Sequence, residues 1–254
     1  MKAVLLLHGF LSDEEDFSPL IPYLGKYYKK VELLTFPGHG IKFGKDKFTK
    51  EKVFTYLEEA FLQLQKTYQE IDIIGFSMGG ALALYLANKF NVKRLILLAP
   101  AYRYINIIAP FVKAKMYFKI IHQIAKNKKI KPEQALKLQK KLSNILADDK
   151  ASFRLGTKIF LKRVLPYYFA EFIKIIKKVT NTVTSFPNQT LLLWGKLDQI
   201  IPYSSVDEVY HLCTNPQKKL IIYDDITHLM LLSADNQKII NDIISFIEES
   251  KDYD

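Results

Sequence analysis

The chain has a single cysteine, Cys213, among 254 residues. No disulfide can close within it, so its stability must come from a packed core, the usual situation in a reducing compartment. Leader-like and membrane-spanning segments are lacking too: Lys2 is followed by only a handful of apolar residues before His8-Gly9, and no later uncharged run reaches transmembrane length. A cytoplasmic location is the expectation. Internal repeats, low-complexity tracts and Gly/Ser linkers are missing, which argues against a solenoid or a string of loosely tethered modules. Metal-ligand spacing is missing as well, since His122 and His211 fall in helical patterns without companion carboxylates or thiols. Acidic residues are scarce in one region. Residues 101–185 carry 19 Lys and Arg against 4 Asp and Glu, a net +15, whereas the rest of the chain carries 18 against 22, so the whole formal charge of +11 resides in that stretch.

Core-forming material is plentiful, with 49% hydrophobic and 13% aromatic residues, enough to bury a full core around one sheet. Apolar runs recur near 2–7, 31–35, 71–75, 93–99, 190–194 and 219–223, separated by helical periodicity as at 52–67, 78–89 and 235–250. That alternation predicts a doubly wound α/β domain of six parallel strands, with right-handed crossovers placing helices on both faces. The interval between the fourth and fifth runs is too long for a plain connection. It reads as a helical cap, residues 101–185, inserted between core segments 1–100 and 186–254. Helical stretches are predicted near 106–127, 132–147 and 152–180, with Pro132 in a first turn and Pro166 breaking or kinking the third. Phe111, Ala114, Phe118, Ile121 and Ala125 form an apolar stripe on the first. Phe169, Phe172, Ile173 and Ile176 form one on the third, opposite Lys174, Lys177 and Lys178. Each stripe either packs on the core or presents a face to lipid.

The chemistry is concentrated after the third run. Ile71-Asp72-Ile73-Ile74 enters Gly75-Phe76-Ser77-Met78-Gly79-Gly80 and then an alanine-rich helix, a context that sets Ser77 on a sharp strand-to-helix turn. A serine in that position needs a base, and the base an orienting carboxylate. Thr190-Leu191-Leu192-Leu193-Trp194-Gly195-Lys196-Leu197-Asp198 is a strand releasing an aspartate into a loop closed by Pro202. Leu220-Ile221-Ile222-Tyr223 is another, followed by Asp224-Asp225-Ile226-Thr227-His228. The order Ser77, Asp198, His228 is the one this kind of elbow predicts, and each falls past the carboxyl end of a strand, where parallel sheets collect ligands. Asp224 and Asp225 lie nearer to His228 in sequence but read as turn formers. Ala3-Val4-Leu5-Leu6-Leu7-His8-Gly9-Phe10 ends in a turn whose contribution lies in the backbone. The N–H groups of Phe10 and Met78 are the expected oxyanion hole. His8 and His39, the latter in Phe36-Pro37-Gly38-His39-Gly40, read as loop-shaping rather than as bases.

Taken together, His8-Gly9-Phe10, Pro37-Gly38-His39-Gly40, the elbow around Ser77, Gly195-Lys196-Leu197-Asp198 and Thr227-His228 resemble the α/β-hydrolase family, in particular its small bacterial carboxylesterases and monoacylglycerol lipases. The resemblance covers about two-thirds of the chain. It implies ester hydrolysis through an acyl-enzyme, with Ser77 as nucleophile, His228 as general acid–base, Asp198 as orienter and no metal or organic cofactor. Short- or medium-chain acyl esters or monoacylglycerols are the implied substrates. The antiparallel hairpin that begins larger members is not expected, because the sequence starts directly on the His8-Gly9-Phe10 strand. Ser77 at the elbow excludes the aspartyl-nucleophile dehalogenases. Two other readings stay open. One is a lyase resembling the menaquinone-pathway enzyme, which uses its serine to remove a proton, although the cap offers only Arg103, Arg154 and Arg163 for an acidic substrate. The other is an idle, surface-binding version of the fold. Nucleic acid is not an expected partner, since the basic stretch contains no groove-reading or RNA-binding motif. Its lysines form either a solvated face or a rim drawn weakly to anionic membrane.

Overall fold

The structure is a computed structural model, and it describes residues 1–40, 46–103 and 165–249. Six strands form one sheet: β1 (Lys2–Leu7), β2 (Lys30–Leu34), β3 (Glu70–Phe76), β4 (Arg94–Leu98), β5 (Gln189–Gly195) and β6 (Lys218–Tyr223). Their order is β2-β1-β3-β4-β5-β6, and every neighbouring pair is parallel. The four inner strands are predominantly apolar because both of their faces are covered, and their residues are buried almost without exception. The edge strands β2 and β6 are only partly buried. The six-stranded parallel sheet expected from the apolar runs is the one that forms, each strand within a residue or two of its predicted limits.

Among the described residues the helices are α1 (Ile21–Leu24), α2 (Lys50–Gln65), α3 (Met78–Lys89), α4 (Leu165–Thr182), α5 (Tyr203–Leu212) and α6 (Asn236–Glu249). In α2, Val53, Phe54, Leu57, Phe61 and Leu64 recur at three and four and are buried. Thr49 caps its start by accepting the Lys52 N–H. Helix α3 is buried nearly all round, from Met78 to Ala87, as suits a helix wedged against the middle of a sheet. None of the described helices is long and apolar enough to cross a membrane.

The chain divides into two compact units: residues 1–106 with 171–254, and residues 107–170. Within the first unit, Phe172, Ile175, Ile176 and Val179 of α4 are buried and Ile173 is half-buried, so this part of the predicted apolar stripe is packing surface. The helices predicted near 106–127 and 132–147, the first stripe with Pro132, His122, and the third helix before Leu165 lie outside the described residues.

The order of the strands determines where a site can form. From β1 the chain moves outward to β2 and then crosses to β3 on the other side, so the loops leaving β1 and β3 diverge at a topological switch point. Leu7 pairs with Gly75 and Leu98 with Phe76, which brings the ends of three adjacent strands level.

Candidate active site

Ser77 follows β3 directly and has φ 53° and ψ −113°, a conformation that a non-glycine residue adopts only when its surroundings impose it. Hydrogen bonds to both of its backbone groups do so. The Ser77 N–H donates to Leu98 O at 2.9 Å, and Ser77 O accepts from Gly80 at 3.0 Å and from Ala101 at 3.0 Å. Gly79 is needed for the same bend. A Cβ there would lie 1.9 Å from Leu7 O, so only glycine lets α3 start this close to β1.

His228 presents Nε2 to Ser77 Oγ at 3.1 Å and Nδ1 to Asp198 Oδ2 at 2.7 Å. A carboxylate on Nδ1 requires the proton there, which leaves Nε2 as the acceptor facing the serine hydroxyl. The other oxygen of Asp198, Oδ1, accepts the N–H groups of Ile200 at 2.8 Å and Ile201 at 2.9 Å, and its side chain is fully buried. The aspartate therefore cannot swing away from the ring. Acid and base loops are also bonded to each other: Lys196 N–H donates to Tyr223 O and Leu197 N–H to Ile226 O. Gly195 makes that approach feasible, since a Cβ on it would meet Ile226 O at 2.1 Å. Asp224 and Asp225 are exposed and pair with Lys196 and Lys238 instead of the imidazole. The ring of Phe76 packs against His228 with centroids 4.9 Å apart.

Of the predicted oxyanion donors, Met78 is the first residue of α3, so its N–H has no acceptor within the helix. The Phe10 N–H belongs to the Gly9–Phe10 peptide. Gly9 O is held by His8 Nδ1 at 2.7 Å, while His8 Nε2 accepts the Phe36 N–H at 3.1 Å, which assigns the proton to Nδ1. In a trans peptide C=O and N–H point in opposite directions, so anchoring Gly9 O also aims the Phe10 N–H. His8 is thus a shaping residue bonded to backbone on both nitrogens. His39 packs edge-on against Phe48, with centroids 4.6 Å apart, and Nδ1 lies 3.2 Å from Pro37 O. Burial holds its pKa down at about 4, against a smaller upward pull from Pro37 and Asp13. It is neutral at neutral pH. His211 is exposed in α5 with Nδ1 on Asp207 O. Among the described residues no three His, Cys, Asp or Glu side chains gather as a metal site.

Asp16 is a residue that pattern reading did not single out. It lies in a short 3-10 turn, Glu14–Phe17, and is buried beside the Gly9 loop. Burial raises its carboxyl above the ordinary range, while hydrogen bonds from Ser12 and Gly9 and the nearby His228 pull it back. In sequence it is the last of Asp13-Glu14-Glu15-Asp16, a run that reads as solvated acid, and only burial distinguishes the fourth member.

A doubly wound parallel sheet with a serine elbow after its third strand, an acid after its fifth and a histidine after its sixth defines an α/β-hydrolase. The chain belongs to the Hydrolase_4 family of that fold, described as serine aminopeptidase, S33, which matches residues 1–235. It is 23% identical to a carboxylesterase of Bacillus subtilis (strain 168) over 250 residues, spanning 98% of this chain and 93% of that one. Among solved structures it is similar to a monoacylglycerol lipase of Paleococcus ferrophilus, with a TM-score of 0.64, 15% identity and coverage of 96% and 93% of the two chains. It is also similar to MenH of S. aureus, with a TM-score of 0.55, 19% identity and coverage of 98% and 94%.

Proposed function

We propose that the protein hydrolyses carboxylic esters through an acyl-enzyme, acting on short- or medium-chain acyl esters or monoacylglycerols. The observation that carries this reading is the unbroken hydrogen-bonded line from Ser77 Oγ through His228 to Asp198. In the first half-reaction Ser77 Oγ attacks the ester carbonyl as His228 Nε2 takes its proton, and the Phe10 and Met78 N–H groups receive the developing oxyanion. The proton on Nε2 passes to the departing alkoxide, so the alcohol leaves neutral and the acyl group stays on Ser77. Water then repeats the sequence, giving up its proton to Nε2 and releasing the acid with Ser77 restored. Asp198 keeps the proton on Nδ1 throughout and stabilises the imidazolium as it forms. This cycle uses no cofactor. The carboxylesterase relative is consistent with the ester reading.

The proton-abstracting lyase is the weaker alternative, for a reason visible in the arginines. The chain has four, of which Arg94 is buried against Asp72 and Arg103 pairs with Glu208. Arg94 is sealed in that pair, and Arg103 would have to leave Glu208 to meet an acidic substrate. A panel of p-nitrophenyl esters of rising chain length, run beside monoacylglycerols, tests the function directly. Hydrolysis should show a burst of alcohol equal to the concentration of active sites. Ser77→Ala should lose on the order of 10⁶-fold in kcat together with labelling by a fluorophosphonate. Unchanged labelling in that variant would remove Ser77 as the nucleophile.

A further inference from the structure

We propose that Asp16 is a positioning residue of the oxyanion loop: its carboxylate clamps Gly9 and Ser12 and so holds Phe10 and Leu11, the two residues between them, in the geometry that aims the Phe10 N–H at the reacting carbonyl. The inference rests on the ester-hydrolase reading of Ser77. Its basis is geometric. Asp16 Oδ2 accepts the Gly9 N–H at 3.0 Å, and Oδ1 accepts the Ser12 hydroxyl at 2.6 Å. The first is buried and the second, which is short, is partly buried, and they lie on either side of the bend.

The bend requires holding. Leu11 has φ 57°, in the left-handed region that a leucine occupies only at some cost, and it is not part of the buried core. Gly9 has two anchors with different effects. His8 holds its carbonyl and so sets the tilt of the Gly9–Phe10 peptide, whereas Asp16 holds its N–H and so sets the preceding peptide plane. Without the second anchor the residue can rotate about its own φ and ψ, and glycine resists that rotation less than any other residue.

The choice of an aspartate follows from the donors. Gly9 N–H and Ser12 O–H both donate, so the matching partner is a group with two acceptor oxygens and no proton of its own. The neighbouring acids are engaged elsewhere: Asp13 accepts the Glu15 N–H, and Glu14 accepts the Thr35 hydroxyl. Asp16 alone turns inward. Keeping a carboxylate buried is costly, as the upward shift of its carboxyl indicates, and two hydrogen bonds to the loop are what offset that cost.

The test compares Asp16→Asn, Asp16→Ala and Ser12→Ala with the wild type on one soluble ester, together with the Ki of an alkylboronic acid whose adduct on Ser77 places an oxygen in the oxyanion hole. Deleting an oxyanion donor outright costs 10²–10³-fold in kcat, so misaiming one should cost about 10- to 100-fold in Asp16→Ala. The loss should be smaller in Asp16→Asn, which keeps one acceptor oxygen, and smallest in Ser12→Ala. KM should stay within about threefold, and the boronate Ki should rise in step with the fall in kcat, because both report the hole and not ground-state binding. If Asp16→Ala does not fold, Asp16→Asn and Ser12→Ala carry the test. Folded variants with wild-type kcat, or losses confined to KM with an unchanged boronate Ki, overturn the proposal. Wild-type protein that hydrolyses no ester and takes no fluorophosphonate on Ser77 would instead overturn the underlying function, so the two failures are distinguishable.

Discussion

At the amino end of the sheet, Asp72 of β3 and Arg94 of β4 form a buried ion pair, with Arg94 Nη2 at 2.6 Å and Nε at 3.0 Å from Asp72 Oδ2. The Tyr28 hydroxyl donates to the same oxygen at 2.7 Å, and Arg94 Nη1 reaches Ile247 O at the end of α6. At the carboxyl end, Asp198 and His228 form a second close pair, but His228 keeps 11% of its side chain exposed while Arg94 keeps 2%. The chemical difference is larger than the geometric one. A guanidinium stays charged at any working pH, whereas an imidazole can exchange its proton, so one pair ties strands to a helix and the other can pass a proton to a neighbour. Backbone strain divides in the same way. Leu11, Ser77 and Ala99, the non-glycine residues with positive φ among those described, all lie just beyond the carboxyl ends of β1, β3 and β4. Strain and exchangeable protons are gathered at one end, fixed charge and relaxed backbone at the other.

That contrast is broken most severely by Asp198→Asn. The amide would present its NH₂ to the ring or leave Nδ1 unpartnered, and the proton would move to Nε2, where it blocks acceptance from Ser77. A fall of about 10⁴-fold in kcat is expected with little change in thermal stability. Asp225→Asn, which disturbs only the exposed pair with Lys238, should leave kcat close to wild type. Equal losses in the two variants, measured on the same ester, would overturn the assignment of Asp198 as the sole carboxylate that orients the histidine.

The opposite experiment is Arg94→Met. It strips the buried Asp72 of its counter-charge and should cost about 3–5 kcal/mol in denaturant unfolding, while kcat per folded molecule stays unchanged. A stability loss below about 1 kcal/mol would show that water reaches Asp72. A proportional loss of kcat would show that the two ends are mechanically coupled.

How much of this could be read in advance follows the same division. The inner strands were legible because strands covered on both faces are predominantly apolar, and Ser77, Asp198 and His228 stood out as candidates because each follows an apolar stretch. The start of α2 was placed two residues late, since its periodic residues begin at Val53 whereas its cap is Thr49. Helix α5 gives a faint signal, with only Ser205, Val206 and Val209 buried among polar neighbours. Arg94 and Asp72 sit inside apolar strands without any pattern relating them, and Asp16 is hidden in a run of acids. Pairings of this kind join residues 22 apart, as in Asp72 with Arg94, or place one acid of four inward. Periodicity cannot report them, because it records which face a residue occupies and not which partner it meets there.

The smallest expected effect sharpens the comparison by using pH. His39, at the carboxyl end, is held neutral by burial, with a pKa of about 4 in the folded protein against an ordinary 6.5. As the pH falls from about 6.5 toward 4, the unfolded chain binds a proton at this residue and the folded protein does not. Stability therefore declines over that window, by at most about 3 kcal/mol, and is no longer changed by this residue below it. The guanidinium of Arg94 does not titrate there. Other carboxylates do, so the informative quantity is the difference between wild type and His39→Gln, which removes the titration while keeping a polar group of similar reach near Pro37 O. Urea unfolding of both proteins at half-unit steps from pH 7 to pH 4 should give curves that converge on acidification as the wild type loses its extra stability. The amides around Phe36 and His39 should lose hydrogen-exchange protection before those flanking Asp72. A difference curve that stays flat from pH 7 to 4 would mean that His39 is protonated in place, and that the carboxyl end accommodates a buried positive charge as readily as the amino end does.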